Sequence, residues 1–214
     1  MDDLFAALAS PGRIPIGPGA VILAGRARAD SAALLAAIET VTTAAPLRHM
    51  VTPGGFRMSV AMTNCGAAGW VSDRRGYRYA PDDPETGRPW PEMPAAFRNL
   101  AIAAAREAGY PGFDPDACLV NCYTPGTRLS LHQDRNERDF GQPIVSVSLG
   151  LPATFQFGGA ERTDPVVKHR LSHGDVVVWG GPSRLVFHGV LTLKAGDHPV
   201  VGIRRLNLTF RRAF

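Results

Sequence analysis

The sequence predicts a mainly β protein of the α+β class, a sandwich, barrel or jelly roll with two helices packed outside it. Three observations carry that expectation. The 214 residues include 23 Gly and 18 Pro, enough turn formers to cut the chain into short pieces. Eight short segments of strand character follow Gly109, and only two stretches show helical spacing. With 45% hydrophobic and 20% charged residues, a chain of this length supports one sizeable core and one domain.

The first helix is expected over 30–45, where Asp30 or Ser31 is available as a cap and Leu34, Leu35, Ile38 and Val41 recur on one face. From 46 to 94, glycines and prolines interrupt short pieces that carry Trp70, Tyr77, Tyr79 and Trp90. Such a stretch excludes long elements. Its aromatics, in short hairpins beside Arg74, Arg75 and Arg78, read either as a satellite cluster under a loop or as a platform for a planar ligand. A second helix is expected over 94–108, with Phe97, Leu100, Ile102 and Ala104 inside and Gly109 as its stop. Strands follow at 117–123, 130–132, 144–151, 154–157, 166–171, 175–179, 185–190 and 204–210.

No apolar run approaches the roughly 20 residues that span a bilayer. The start, Met1-Asp2-Asp3, is acidic where a secretory leader would be basic, so a cytoplasmic location is expected. Cys65, Cys118 and Cys122 form no CxxC pair and read as reduced, buried thiols. The net charge of +4 is compatible with a polyanionic partner without requiring one. Among the 23 basic residues only Lys168 and Lys194 are lysines, a bias that suits bidentate contacts to phosphate or carboxylate and that codon usage alone would also produce.

His132-Gln133-Asp134 sets an imidazole and a carboxylate at i and i+2, on one face of a strand. His188, on a later strand, is the candidate third ligand. Two histidines and one carboxylate on one face of an octahedron leave three positions open, the donor set of non-haem Fe(II) oxygenases. HxD alone is weak evidence. The strand Arg205-Leu206-Asn207-Leu208-Thr209-Phe210-Arg211 alternates a polar face with an apolar one. Its two arginines stand too far apart to share one carboxylate and can act at two ends of a site. Asn121 and Tyr123 form a second inward polar pair. His49, His169, His173 and His198 lack such a context, His173 before Gly174-Asp175 reading as a turn residue. Glu137, Asp139, Asp164 and Asp197 read as solvated surface, and Asp114 and Asp116 as a loop around Pro115.

HxD, a distant His and an RxNxTxR strand together resemble the AlkB family of Fe(II)- and 2-oxoglutarate-dependent nucleic-acid dealkylases. The likeness extends to Met50-Val51-Thr52-Pro53-Gly54-Gly55, to 59–66, to 144–152, to Phe155-Gln156-Phe157-Gly158-Gly159 and to 173–181, which is nearly the whole chain. The resemblance implies a single domain over 1–214: a double-stranded β-helix (jelly roll) core at 110–214, two supporting helices, and an N-terminal nucleotide-recognition lid at 46–93. It makes His132, Asp134 and His188 the iron ligands, and makes Arg205 the partner of the distal carboxylate of 2-oxoglutarate. Asn121, Tyr123, Asn207 and Arg211 would complete the co-substrate site.

By the same resemblance Trp70 stacks on an extruded base whose other side faces the His132 ring. Thr52, Met62 and Tyr77 line the pocket or hold the adjacent phosphate, and Arg128, Gln133, Arg135 and Arg162 match positions that contact the nucleic-acid backbone. The implied reaction is repair of 1-methyladenine and 3-methylcytosine in single- or double-stranded DNA, with RNA as a further substrate class. Fe(II) is the cofactor, and 2-oxoglutarate and O₂ are the co-substrates. Formaldehyde, succinate and CO₂ are released, by a monomer with no obligate protein partner and no membrane. One position departs from the family pattern. Two residues after the metal carboxylate the pattern has Asp and this chain has Asn136, which keeps the shape and removes the charge. A reader of methylated bases, a small-molecule oxygenase and a zinc hydrolase are rival readings, and the RxNxTxR strand and the aromatic, arginine-rich 46–91 stretch favour the dealkylase.

Overall fold

Residues 12–214 are described by a computed structural model, and the acidic start Met1-Asp2-Asp3 lies outside them. The described chain runs β1 (Arg13–Gly17), β2 (Ala20–Leu23), α1 (Ser31–Ala44), β3 (Ala61–Gly66), β4 (Gly69–Asp73), β5 (Gly76–Ala80), α2 (Ala95–Glu107) and β6 (Ala117–Tyr123). It continues through β7 (Leu129–His132), β8 (Ile144–Gly150), β9 (Ala153–Phe157), β10 (Val167–Leu171), β11 (Val176–Trp179), β12 (His188–Val190) and β13 (Arg205–Arg211). A seven-stranded sheet, ordered β1-β2-β11-β8-β13-β6-β3, faces a four-stranded sheet, β10-β9-β12-β7, and β4 and β5 form a hairpin of their own. Both larger sheets are antiparallel throughout. This is the jelly roll expected from the sequence.

Alternation along the central strands decides what each face of the large sheet meets. Val145 and Val147 of β8 and Leu206, Leu208 and Phe210 of β13 turn toward the helices and pack with Leu34, Ile38, Val41, Phe97 and Leu100. Phe97 meets Phe210 edge-on at 5.9 Å, a geometry worth about 0.5–1.5 kcal/mol beyond area burial. The opposite face carries Leu119, Tyr123, Ile144, Val177 and Trp179 against Phe155, Phe157 and Val190 of the small sheet. The polar residues of β13 point into this second layer, between the sheets.

The helices and the eight predicted strands are present, with local corrections. Asp30 stands at the N-cap of α1 but makes no side-chain cap bond. Ile102 is only partly buried, because α2 turns Phe97, Leu100, Ala101, Ala104 and Ala105 inward and the small alanines let it lie close to the sheet. Gly109, at φ +101°, ends α2 in a conformation that favours glycine. The strand expected over 185–190 begins only at His188. Residues 185–187 instead leave a 3₁₀ turn (Gly181–Ser183), with Val186 N–H donating to Ser183 O and Phe187 N–H to Gly159 O. Strands β1 and β2 were not legible, since β2 is buried at every position and shows no alternation. Within the broken stretch 46–94, β3 joins the large sheet beside β6.

Candidate active site

Every site residue named from the sequence lines one open cavity of about 1010 Å³ between the two sheets. Its centre is set by strand register. His132 on β7 and His188 on β12 are direct cross-strand partners, with ring centroids 4.4 Å apart. Asp134, just beyond β7, completes the group: its Oδ1 lies 3.8 Å from His132 Nε2 and its Oδ2 lies 3.7 Å from His188 Nε2. The three ligand atoms fall within 4.8 Å of one another.

The tautomers suit a cation. His132 Nδ1 lies 2.8 Å from Ser130 O, and His188 Nδ1 lies 3.1 Å from Val186 O. A carbonyl oxygen only accepts, so each Nδ1 carries the proton and each Nε2 offers its lone pair to the centre. Burial and then the neighbouring His132 push the His188 pKa down to about 4, which keeps its imidazole neutral. Burial acts to raise the Asp134 carboxyl, but the Arg211 guanidinium beside it outweighs burial and holds the group well below the usual carboxylate range. Arg211 donates to Asp134 Oδ2 from both Nε (3.0 Å) and Nη2 (2.6 Å). Two neutral imidazoles and one carboxylate are the donor set of a non-haem Fe(II) site.

Toward the floor of the cavity, Arg205 is 1% exposed, with its guanidinium 4.9 Å over the Tyr123 ring. Its Nη2 donates to Ser148 Oγ at 3.0 Å, whereas Nε and Nη1 are buried without a protein partner. Buried N–H groups are rarely left unmade, and a buried cation with two free donors calls for an anion. The Asn121 Oδ1 atom is likewise unpartnered, while its Nδ2 donates to Asn207 Oδ1 at 3.3 Å. Asn207 is held in turn, donating to Ser146 Oγ and Val147 O and accepting from Thr209. The open Arg205 donors fit a carboxylate of a dicarboxylate such as 2-oxoglutarate, whereas the Asn121 oxygen accepts and takes a donor.

At the mouth, Trp70 and Tyr77 stack at 5.6 Å and 13° between planes, although they sit on different strands of the β4–β5 hairpin. Trp70 Nε1 donates to Asn136 Oδ1 at 3.0 Å, and Asn136 Nδ2 reaches Tyr77 O at 3.4 Å. Met62 is buried in the wall at the register position opposite Asn121, and Thr52 Oγ1 accepts the N–H of Phe56. Arg135 is exposed at the rim. Arg162 donates to Leu131 O at 2.6 Å and lies over the Phe187 ring, and Gln133 Nε2 donates to Leu185 O.

Two functional side chains escaped the sequence reading. Glu137, expected on the solvated surface, is buried: its Oε1 accepts from Tyr79 at 2.6 Å and its Oε2 from Arg184 at 3.0 Å, with Arg211 Nε 3.4 Å away. Arg184 also donates to the backbone oxygens of Asp134 and Gln142, so it clamps the loop that carries the Asp134 carboxylate. Buried charges are tolerated when paired and hydrogen-bonded in this way. The charged run around Glu137 masked its burial, and no local pattern signals it.

Comparison with known proteins agrees with this geometry. Residues 19–211 match the family model described as the 2OG-Fe(II) oxygenase superfamily. The chain is 58% identical over 213 residues to the alpha-ketoglutarate-dependent dioxygenase AlkB of Escherichia coli (strain K12), covering 100% of this chain and 98% of that protein. It is 48% identical over 182 residues to the AlkB homolog of Caulobacter vibrioides (strain NA1000 / CB15N), covering 85% of this chain and 81% of that protein. The solved structure of OsALKBH1 superposes with a TM-score of 0.81 at 30% identity, covering 94% of this chain and 100% of that one. A cavity built around two histidines, a carboxylate and an unsatisfied buried arginine, in a chain with these relatives, belongs to the AlkB family of the 2OG-Fe(II) oxygenase superfamily.

Proposed function

We propose that this protein removes alkyl groups oxidatively from N-alkylated bases, 1-methyladenine and 3-methylcytosine in DNA, with RNA as a further substrate class. The observation that carries this reading is the order of groups along one cavity. An unsatisfied cationic floor, a cation-binding triad and a stacked aromatic pair at an arginine-bearing mouth follow one another. A flat base held on the aromatics would present its pairing edge to the triad, and an alkylated base costs less to extrude because its pairing is already weakened.

His132, Asp134 and His188 would hold Fe(II), and Arg205 with Asn121, Tyr123 and Asn207 would hold 2-oxoglutarate. Bound together with O₂, these supply the oxidation that converts an N-methyl group to formaldehyde while 2-oxoglutarate becomes succinate and CO₂. The protein's own contribution is placement. Arg211 fixes the Asp134 carboxylate. Trp70, Tyr77, Met62 and Thr52 orient the base, with Asn136 holding the indole. Arg135 and Arg162, with Arg128 and Gln133, serve the flanking backbone. Within the 46–93 segment the β4–β5 hairpin acts as the nucleotide lid over the 110–214 catalytic core, whose large sheet β1, β2 and β3 complete.

The test is mass spectrometry of a single-stranded oligonucleotide carrying one 3-methylcytosine, incubated with Fe(II), ascorbate and O₂, with and without 2-oxoglutarate. Loss of one methylene that depends on 2-oxoglutarate and disappears in His132→Ala is the expected result. Tight binding without conversion would make the protein a reader, and neither binding nor conversion would point to another substrate class.

A further inference from the structure

The Asp134 carboxylate and the β4–β5 hairpin are joined by a continuous path of hydrogen bonds and ion pairs whose middle, at Glu137, Arg184 and Arg211, is buried. Trp70 on β4 and Tyr79 on β5 are direct cross-strand partners, so they project from the same face of the hairpin. Trp70 reaches Asn136 and Tyr79 reaches Glu137, two consecutive residues of the loop after Asp134. From Glu137 Oε1 the path continues to Arg211 Nε at 3.4 Å, and Arg211 grips Asp134 Oδ2. Arg184 closes the path into a ring, touching Glu137 Oε2 and the Asp134 carbonyl. Glu137 and Arg184 side chains are 1% and 3% exposed, so water does not compete for these bonds.

Arg211 Nε sits between two carboxylates, 3.0 Å from Asp134 and 3.4 Å from Glu137. A hydroxyl donated to Glu137 Oε1 lowers that oxygen's pull on Arg211 and leaves the guanidinium to Asp134. Removing the hydroxyl frees Oε1 to compete for Arg211. The hairpin and the metal carboxylate are then energetically linked although they do not touch.

We propose that Tyr79 is a positioning residue which, through Glu137 and Arg211, couples the β4–β5 hairpin to Asp134 in both directions. Base contact at the hairpin is transmitted to the metal ligand, and metal at the triad firms the hairpin, because coupling between two sites is reciprocal. The inference rests on the triad being a metal site, and not on which base or nucleic acid is bound.

The experiment uses the full chain and Co(II) alone as probe, reading Co(II) affinity by calorimetry and amide exchange of residues 69–80 by mass spectrometry. In the parent, Co(II) slows exchange across the hairpin. In Tyr79→Phe, which keeps the ring and loses only the hydroxyl, that protection is lost and Co(II) binds about 5-fold more weakly, the low end of coupling between sites. A purely structural role would lower the melting temperature while leaving Co(II) affinity and the Co(II)-dependent part of the hairpin protection at their parent values. Wild-type Co(II) affinity and wild-type hairpin protection in Tyr79→Phe would overturn the coupling. Should that variant not fold, Glu137→Gln, which keeps the shape and loses the charge, reads the same link from its other end. A parent chain that binds no Co(II), as His132→Ala is expected not to, would overturn the metal reading as well. That outcome is distinct from a chain that binds Co(II) with an indifferent hairpin.

Discussion

Asn136 Oδ1 accepts the indole N–H of Trp70 at 3.0 Å, which makes this uncharged side chain the anchor of the stacking ring. Asp at this position would keep the acceptor and add a negative charge beside the base pocket. Opposite unit charges 4 Å apart attract by about 4 kcal/mol at an effective dielectric near 20, but exposed pairs retain only about 1 kcal/mol. Asn136→Asp is therefore expected to raise kcat/KM on the cationic base 3-methylcytosine about 5-fold. Steady-state kinetics on one oligonucleotide would check it, and an unchanged value would discard the role assigned to the missing charge.

Arg205 leaves Nε and Nη1 of a rigid planar guanidinium buried without a hydrogen-bond partner. Lysine keeps the charge but not the planar group, so Arg205→Lys is expected to raise the KM for 2-oxoglutarate about 10-fold, the equivalent of about 1.4 kcal/mol from one lost charged hydrogen bond. Saturating co-substrate should restore most of kcat. A wild-type KM would place the co-substrate elsewhere.

Gly189 follows His188 where β12 passes close to β7. A Cβ there would lie 2.8 Å from Leu129 O and 3.1 Å from the Ser130 carbonyl carbon, both backbone atoms that cannot swing aside. Gly189→Ala should push the two strands apart at about 1–3 kcal/mol and spoil the facing of His132 and His188. Metal affinity is expected to fall further than the melting temperature does. Intact metal binding in this variant would show that the strand gap is more compliant than the backbone contacts suggest.

His173 Nδ1 accepts the N–H of Gly150 at 3.0 Å, and its ring stacks on His198 at 4.5 Å. Burial, then His198 and Arg28, hold its pKa below the ordinary 6.5. In acid the unfolded chain takes up this proton before the folded one does, so the contribution to stability is present above about pH 6.5 and is lost as pH falls through the lowered folded value. Melting temperatures are expected to drop between about pH 7 and pH 5. His173→Gln should flatten that slope, and an equal slope in both proteins would assign the acid sensitivity to other groups.

What was legible in the sequence followed the range of the interactions. His132 and Asp134 are two residues apart, and Arg205, Asn207, Thr209 and Arg211 alternate on one strand, so strand geometry alone places each set on one face. Their meeting in one cavity followed from the family resemblance and not from spacing. Glu137 was misread because its neighbours Arg135, Asn136 and Arg138 are exposed. The groups that bury it, Tyr79 and Arg184, lie 58 and 47 positions away. Strand β2 was missed for the opposite reason, being apolar on both faces and so without a period to detect.

The position of β13 has a consequence for how the molecule is made. It follows every other strand of the large sheet in chain order, yet it lies between β8 and β6 and pairs with both. Until it inserts, those two strands present facing unpaired edges across an open slot, the kind of surface that invites a strand from another chain. Arg205, Asn207 and Arg211 arrive with it, so a chain emerging from the ribosome acquires the side chains proposed to hold co-substrate, and its hold on Asp134, in the same event that seals the sheet. A half-assembled molecule would thus carry the triad without Arg205, Asn207 and Arg211, and under the proposed function chemistry would begin only in chains whose sheet is complete.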